Sequence, residues 1–316
     1  MKKVLVTGGA GFIGSNLVEA LLASNYQVVC LDNLSTGSLK NIEEFQGNKH
    51  FEFVEGDILD YKLLSRLSEG VFAVSHQAAL GSVPRSIKDP LTTNKVNIEG
   101  TLNVFKACVD NKVERVVYAA SSSSYGDSPD LPKKEDKIGR PLSPYAVTKL
   151  VNEVYAEVFH RVYGLNTIGL RYFNVFGPKQ DPNGPYAAVI PLFINSILKD
   201  ERPAINGDGS HSRDFTYVNN AVEANIKALE SSQENYNSVY NIAYGQSTTL
   251  NELVGYINES VGKNLVPIYR EERAGDIEHS LADISKAKEH LNYDPKYSIK
   301  EGLKLTVDWH SNQRKL

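Results

Sequence analysis

Residues 4–23 read VLVTGGAGFIGSNLVEALLA and carry the strongest fold signal in the chain. Residues 4–6 form an apolar strand pattern, residues 7–14 a glycine-rich turn, and Phe12–Ala23 repeats apolar side chains at spacings of three and four, as a helix does. Glycines permit a tight turn, and the N–H groups at a helix start attract a pyrophosphate. The stretch therefore predicts a strand, a turn and a helix that bind a dinucleotide, with a purely structural turn as the alternative.

The alternation of strand and helix continues to about residue 177. Apolar runs predict strands over residues 27–31, 51–54, 71–74, 115–120 and 166–170. Helical patterns between them cover residues 60–67, 92–111 and 144–163. Because strands that alternate with helices form parallel sheets, the sequence predicts an α/β fold with a Rossmann-type doubly wound parallel sheet.

The sequence pattern changes after residue 177, where Pro- and Gly-rich turns at 181–185 and 206–209 interrupt the alternation of strand and helix patterns. We predict a dinucleotide-binding domain over residues 1–177, with residues 217–244 returning to its sheet. A smaller, mixed α/β C-terminal domain for the substrate is predicted over residues 178–216 and 245–316. A length of 316 residues fits two domains.

The composition excludes several classes of protein. With 41% hydrophobic and 23% charged residues and a net charge of −4, the chain is of the ordinary globular kind and has no general surface for nucleic acid or anionic membrane. The N-terminus lacks a signal-peptide pattern and no stretch has the apolar length of a membrane span, so a cytoplasmic protein is expected. Its two cysteines are predicted to be buried reduced thiols, and its seven histidines lack metal-ligand spacing.

A carboxylate follows the second strand pattern. Asp32 lies 18 residues after Gly14, where it can accept hydrogen bonds from the adenosine ribose and repel a 2′-phosphate. This position favours NAD over NADP, with a turn residue as the alternative reading. Asp57 and Ile58 follow the third strand, where the adenine is expected, although Asp57 also suits a helix N-terminus.

Three residue types that can act on one carbinol are predicted to meet. Tyr145 and Lys149 lie four apart on one helix face, and the serine run 121–124 ends the fifth strand, at the edge where open α/β sheets bind ligands. A neighbouring ammonium and a positively charged nicotinamide favour the phenolate form of a tyrosine, which can then act as a base. The alternative is a packed tyrosine and a solvated lysine.

The order of these motifs is typical of one family. The chain resembles the extended short-chain dehydrogenase/reductase family over essentially its whole length, through Gly8-x-x-Gly11-x-x-Gly14, Asp32-Asn33, Asn97, Ser121, Tyr145-x-x-x-Lys149 and RYFNVFG at 171–177. Within that family it is similar to nucleotide-sugar 4-epimerases, through QAA at 77–79, NGDG at 206–209 and RAGD at 273–276. Residues 142–149 and 181–184 resemble the bacterial branch that acts on UDP-N-acetylhexosamines.

The resemblance implies an NAD-dependent, reversible C4 epimerisation of UDP-GlcNAc to UDP-GalNAc through a transient 4-keto sugar. Tyr145 would take the proton of the sugar 4-hydroxyl, C4 would pass hydride to the nicotinamide, and hydride would return to the opposite face. Lys149 would bind the nicotinamide ribose and lower the pKa of Tyr145. Ser121 would hydrogen-bond the reacting oxygen, with Ser122 and Ser123 as alternative donors or sugar contacts.

Two sets of binding residues follow from the resemblance, and no metal site does. The residues implied for retained NAD are Gly8, Gly11, Phe12, Ile13, Gly14, Asp32, Asn33, Ser35, Gly37, Asp57, Ile58, Gln77, Ala78, Ala79, Asn97, Tyr145, Lys149 and Tyr172. Those implied for the UDP-sugar are Ser82, Ser122, Ser123, Asn174, Val189, Arg213, Arg273, Asp276 and Ser280. Surface salt bridges are the alternative for the two arginines.

Departures from the family pattern separate the possible reactions. Ser122 and Ser123 stand where dehydratases carry an acidic pair and decarboxylases a glutamate, so epimerisation is favoured. Gly81 stands where galactose-type epimerases carry a lysine. Arg85 either takes over the role of that lysine or faces solvent. Ser280 stands where glucose-restricted epimerases carry a tyrosine, which leaves room for an N-acetyl group.

Other functions stay open at this stage. They are C4 epimerisation of UDP-GlcNAcA and UDP-GalNAcA or of UDP-glucose, a nucleotide-sugar dehydratase or decarboxylase, and a non-catalytic NAD-binding regulator. The apolar faces of the helices at 92–111 and 144–163 predict either core packing or a homodimer through a four-helix bundle, as in members of the family, and we favour the dimer.

Overall fold

The computed structural model describes residues 1–183, 187–272 and 277–313. Its strands are β1 (Lys3–Thr7), β2 (Gln27–Asp32), β3 (Phe51–Glu55), β4 (Ala73–His76), β5 (Arg115–Ser121), β6 (Thr167–Tyr172), β7 (Val175–Phe176), β8 (Ala204–Asn206), β9 (Ser212–Asp214), β10 (Thr216–Tyr217), β11 (Ser238–Ile242), β12 (Ser247–Thr249) and β13 (Ile268–Arg270). Its helices are α1 (Phe12–Ala23), α2 (Tyr61–Ser68), α3 (Val83–Lys88), α4 (Pro90–Asn94), α5 (Gly100–Asp110), α6 (Pro144–Tyr163), α7 (Val189–Leu198), α8 (Val218–Glu230), α9 (Leu250–Val261), α10 (Ser285–Leu291) and α11 (Ile299–Gln313).

Seven strands form one sheet in the order β11-β6-β5-β4-β1-β2-β3. Every neighbouring pair is parallel, so the carboxyl ends of the strands meet at one edge. The order runs outward from β1 in both directions, which places a crevice between β1 and β4 at that edge. The predicted Rossmann-type fold is confirmed.

Alternate residues of the strands bury against opposite helical layers, as the two-residue repeat of a strand requires. In β1, Val4 and Val6 belong to the apolar cluster that contains α1 and α8, whereas Leu5 belongs to the cluster that contains α2, α5 and α6. The thiols of Cys30 and Cys108 are buried, one in each cluster. Both faces of the sheet are therefore covered, as a parallel sheet needs.

The fourth strand begins and ends later than its apolar pattern predicts. The sequence predicts it over residues 71–74, but β4 covers Ala73–His76. His76 pairs with Thr7 of β1 in the ladder and bonds it through its ring nitrogen. The prediction was wrong at this boundary because a buried polar residue continues the strand when distant side chains satisfy it.

The helix predicted over residues 92–111 is also more complex than its pattern. It consists of α4, a π-helical turn at Lys95–Glu99 and α5 in succession. By contrast, α6 has the predicted bounds, because the hydroxyl of Ser143 accepts from the N–H of Ala146 at its start and Gly164 adopts a left-handed φ of 70° after its end.

The described residues beyond β6 form three two-stranded pairings, β7 with β10, β9 with β12 and β8 with β13. Between them, α8 and β11 lead back to the large sheet, where β11 pairs with β6. The division of the chain into an NAD-binding and a substrate domain stays a prediction. In the described part of the chain, no helix combines the length and the apolar character that crossing a bilayer requires.

Candidate active site

A cavity of about 630 Å³ lies at the carboxyl edge of the sheet. It extends from the glycine loop of β1 past the end of β5 to Arg213 and Ser280 in the later part of the chain. One end of this cavity therefore presents a helix N-terminus and the other presents side chains of the C-terminal segments.

The glycine loop leaves no room for side chains, which is the expected fit for a pyrophosphate. A Cβ on Gly14 would lie 2.0 Å from the carbonyl oxygen of Gly8, and one on Gly8 would lie 2.6 Å from the amide nitrogen of Ala78. Gly8 also has a φ of +69°, which disfavours other residues. The bare backbone and the start of α1 thus form a surface that a dinucleotide can approach closely.

Asp32 ends β2 beside this loop and is 8% exposed. Its carboxylate accepts from the N–H of Ala10 at 3.0 Å and of Leu34 at 2.8 Å. Burial raises the pKa of Asp32, and these backbone hydrogen bonds oppose the rise. A Cβ on Gly37 would lie 2.9 Å from the same carboxylate, so only a glycine fits there. The carboxylate is held in place at the cavity wall, where a ribose can bind it.

Ser121, Tyr145 and Lys149 converge in the middle of the cavity. Burial raises the pKa of Tyr145, and a hydrogen bond with Ser121 lowers it. The hydroxyl of Ser123 donates to Ser121 at 2.9 Å, which orients Ser121 from its other side. Tyrosine and serine hydroxyls that lie together in this way can exchange a proton with a carbinol.

Lys149 is buried at the same place and donates to the carbonyl of Ala119 at 2.7 Å. Burial lowers the pKa of Lys149 to about 8, and the carboxylate of Glu153 opposes the change. Glu153 is itself paired with Arg171 through two hydrogen bonds of 2.9 and 2.7 Å. This buried ion pair between α6 and β6 fixes the helix that carries both Tyr145 and Lys149.

Asn97 stands behind the cavity wall and connects two parts of it. Its side-chain oxygen accepts from the N–H of Leu80 at 2.8 Å, and its amide donates to the hydroxyl of Thr148 at 3.1 Å. Thr148 donates in turn to the carbonyl of Tyr145 at 2.7 Å. The Asn97 side chain thus joins the loop after β4 to the first turn of α6, and its predicted contact with the cofactor stays a prediction.

A buried histidine extends this connection to β1. His76 contacts Thr7 through Nδ1 at 2.7 Å and Thr101 through Nε2 at 2.9 Å. Because the Thr101 hydroxyl donates to the carbonyl of Asn97, it accepts from His76, and Nε2 carries the proton. Burial, with help from the charge of Lys149, lowers the pKa of His76 to about 3.

Comparison with known proteins matches residues 4–243 to the model of the NAD dependent epimerase/dehydratase family. The chain belongs to that family. Membership confirms the resemblance that the motifs carry and makes NAD the cofactor, as Asp32 predicts. The glycine loop and the Asp32 carboxylate are the parts of this structure that fit NAD.

Epimerases that are named for different UDP-sugars resemble the chain along nearly its whole length. A solved UDP-N-acetylglucosamine 4-epimerase from Methanobrevibacter ruminantium M1, in complex with UDP-N-acetylmuramic acid, has a TM-score of 0.94 and 43% identity and covers 99% of each chain. A UDP-glucose 4-epimerase of Mycolicibacterium smegmatis is 37% identical over 98% of this chain and 99% of its own. A UDP-glucuronic acid 4-epimerase from Bacillus cereus, solved with UDP-glucuronic acid and NAD, has a TM-score of 0.92, 34% identity and coverage of 98% and 99%.

Most residues that the sequence assigned to an epimerase site lie on the cavity wall of this family member. They are Gly8, Gly11, Phe12, Ile13, Gly14, Asp32, Asn33, Ser35, Ile58, Gln77, Ala78, Ala79, Ser121, Ser122, Ser123, Tyr145, Lys149, Tyr172, Asn174, Arg213 and Ser280. Their roles toward NAD and substrate stay predictions.

Several other assigned residues lie next to the wall. Asp57 accepts from the side chain of Asn33 at 2.8 Å, and Ser82 accepts from the N–H of Arg85 at 3.2 Å as the N-cap of α3. Val189 begins α7, directly after the wall residue Ala188. Arg273 and Asp276 lie outside the described residues.

The wall also carries residues that sequence reasoning missed, and Lys133 is the most informative. It is buried, its ammonium donates to the carbonyl of Ser128, and burial lowers its pKa while Asp130 opposes the change. Lys133 reaches the wall because its backbone pairs with Leu281 and Asp283, far along the chain. A local pattern contains no sign of such a pairing.

Proposed function

We propose that the chain is a UDP-sugar 4-epimerase that interconverts UDP-GlcNAc and UDP-GalNAc. The observation that supports this most directly is that Ser121, Tyr145 and Lys149 lie together on the wall of one cavity, where Ser121 lowers the pKa of Tyr145. The neighbouring Ser122 and Ser123 lack the carboxyl group that dehydration or decarboxylation would need for a further proton transfer. The names of similar proteins agree with C4 epimerisation as the reaction class.

In the proposed reaction, Tyr145 removes the proton of the sugar 4-hydroxyl while Ser121 holds the same oxygen. Bound NAD would supply the hydride acceptor for the oxidation of C4 and, once reduced, the hydride that reduces the 4-keto sugar from its opposite face. Lys149 stays fixed by Ala119 and holds positive charge close to the reacting groups. Tyr145 returns the proton to the oxygen after C4 has been inverted, so the protein ends the cycle unchanged.

The residues beside Arg213 on the cavity wall support N-acetylhexosamines as substrates. Ser280 and Ile277 line the cavity beside Arg213. A serine leaves space for the C2 substituent, and its hydroxyl can bond the amide, whose burial without a partner would cost about 1–3 kcal/mol. Arg213 already donates to the carbonyls of Ser212 and Glu278, which orients its guanidinium at this end of the cavity. A guanidinium fork suits a diphosphate.

A second candidate is C4 epimerisation of the corresponding uronic acids. Lys133 lies on the cavity wall with Ser122, Ser123 and Gly126, and its ammonium donates to the carbonyl of Ser128. A cation close to a sugar-binding pocket suits a substrate carboxylate.

The test of substrate choice is kcat/KM for UDP-GlcNAc, UDP-glucose and UDP-GlcNAcA. We expect UDP-GlcNAc to exceed UDP-glucose, and a Ser280→Tyr variant to lose activity on UDP-GlcNAc selectively. A value for UDP-glucose equal to or above that for UDP-GlcNAc would refute the N-acetyl preference. A much higher value for UDP-GlcNAcA would favour the uronic acid as the substrate.

We also propose that the protein is a homodimer through α4, α5 and α6. Large apolar side chains of α4 and α6 remain exposed, with Leu91 at 82%, Val154 at 54% and Val162 at 64%. Exposed apolar side chains of this size are covered when helices pack in a subunit interface. Light scattering should give twice the chain mass of 34.9 kDa, and Val154→Glu should reduce it to one chain. A wild-type mass of one chain at micromolar concentration would refute the dimer.

A further inference from the structure

Residues 277–283 form a strap along the substrate end of the cavity, and its members Ile277 and Ser280 line the wall. On one side, β9 holds the strap, since the N–H of Ser212 donates to Glu278 at 2.9 Å and the N–H of Ser280 donates to Ser212 at 3.0 Å. On the other side, the N–H of Lys133 donates to Leu281 at 2.8 Å. The strap is therefore a strand-like segment whose position is set by backbone hydrogen bonds from two distant parts of the chain.

A buried carboxylate fastens the strap a third time. Asp214 at the end of β9 is 0% exposed and accepts from the N–H of Ala282 at 3.2 Å. The same carboxylate accepts from the N–H groups of Tyr244 at 3.1 Å and Gly245 at 3.1 Å, in the loop after β11. Asp214 thereby joins three chain segments, of which one is the strap and one continues from the large sheet.

The neighbouring β9 residues Arg213 and Asp214 lie on opposite sides of the strand. Successive side chains of a strand point to opposite faces, so Arg213 lies on the cavity wall while Asp214 lies in the interior beneath the strap. Burying a carboxylate is costly unless hydrogen bonds compensate it. Burial raises the pKa of Asp214 to about 7, and its backbone hydrogen bonds oppose the rise. The N–H groups that Asp214 accepts from belong to two different segments, which points to a positional role.

We propose that Asp214 is a positioning residue for sugar recognition, which fixes the distance between Arg213 and the strap residues Ser280 and Ile277. This inference rests on the proposed function, because it assigns to the strap the fit around the sugar ring. Asp214 touches neither the cavity nor the reacting atoms, so its loss affects how a UDP-sugar is held and leaves Tyr145 and the glycine loop in place.

The test is Asp214→Asn in the holoenzyme, with Asp294→Asn as the matched control, because Asp294 is exposed and pairs with Lys296 on the surface. An asparagine keeps the shape but turns an N–H donor toward backbone donors. We expect KM for UDP-GlcNAc to rise about tenfold or more and the preference over UDP-glucose to shrink, as the loss of charge-assisted hydrogen bonds implies. Retained NAD and kcat should stay within about threefold of wild type.

Asp214→Asn would overturn the proposal if it lowered only the melting temperature and left both KM for UDP-GlcNAc and the preference over UDP-glucose unchanged. If that variant fails to fold, Ser212→Ala decides, since it removes the 2.9 Å contact between the Ser212 hydroxyl and His279 of the strap and should raise KM in the same direction. An unchanged KM in Ser212→Ala would then overturn it.

Calorimetric binding of UDP-GlcNAc and UDP-glucose separates this inference from the proposed function. A wild-type protein that binds both UDP-sugars without inverting either would refute the proposed epimerase. The ratio of the two dissociation constants in Asp214→Asn would still test whether Asp214 positions the strap for sugar recognition.

Discussion

The ammonium of Lys149 is bonded to the carbonyl of Ala119 at 2.7 Å, two residues before Ser121 on the same strand. One end of β5 therefore positions both the lysine of α6 and the serine that bonds Tyr145. Because this edge of the sheet is buried, packing and these hydrogen bonds fix the mutual geometry of the three side chains.

Removal of the Tyr145 hydroxyl tests the proposed base. Tyr145→Phe should lower kcat by about 10²–10⁴-fold, the range for loss of a general base. The melting temperature should change little because the ring remains. Tyr61→Phe is the matched control, since the Tyr61 hydroxyl bonds Asp110 away from the cavity. Comparable turnover in Tyr145→Phe and wild type would exclude the phenolate mechanism.

Ser121→Ala should move the acid limb of the kcat/KM profile to higher pH. The hydrogen bond from Ser121 lowers the pKa of Tyr145, so its loss leaves burial to raise that pKa further. A base with a higher pKa loses activity at a higher pH as the pH falls. Ser121→Thr retains a hydroxyl and should restore the profile; an unshifted limb in the alanine variant would argue against Ser121 as the partner of Tyr145.

Sequence was sufficient for the parts of the site that depend on local geometry. Tyr145 and Lys149 share a helix face because they are four apart, and Asp32 ends a strand that follows a glycine loop. By contrast, Lys133 and Asp214 receive their roles from partners far away in the chain. Asn97 belongs to the family motif, but the motif does not show that its amide joins Leu80 to Thr148.

The glycine loop predicts a contrast between two alanine substitutions. Gly14→Ala should cost roughly 1–3 kcal/mol of the free energy of unfolding through overpacking, because its Cβ would lie 2.0 Å from the Gly8 carbonyl oxygen. It should also release NAD. Among the described residues, a Cβ on Gly255 in α9 would meet no atom within 4 Å beyond its chain neighbours and its own helix backbone, so Gly255→Ala should stabilise by about 0.4–1 kcal/mol. Urea unfolding and the NAD content after purification check both; equal effects of the two variants would contradict this account.

The buried His76 predicts that the free energy of unfolding falls at acid pH. Its folded pKa of about 3 lies below the ordinary 6.5, so its contribution to stability is complete above pH 6.5 and declines as the pH falls toward 3. Relative to His76→Gln, wild type should lose roughly 1.4 kcal/mol per pH unit below 6.5. Urea unfolding at pH 7, 6 and 5 gives the free energy of unfolding of both proteins. Their difference at each pH cancels the contributions of the other titrating groups. Parallel slopes for the two proteins would show that His76 takes up a proton while folded.

The most direct measurement is proton NMR of the purified protein with UDP-GlcNAc and, separately, with UDP-GalNAc, without added NAD. The proposed epimerase converts each into the other, and both reactions reach the same ratio of H4 and anomeric signals. A released 4-keto product, or no conversion even after NAD is supplied, would contradict C4 epimerisation of UDP-N-acetylhexosamines by this chain.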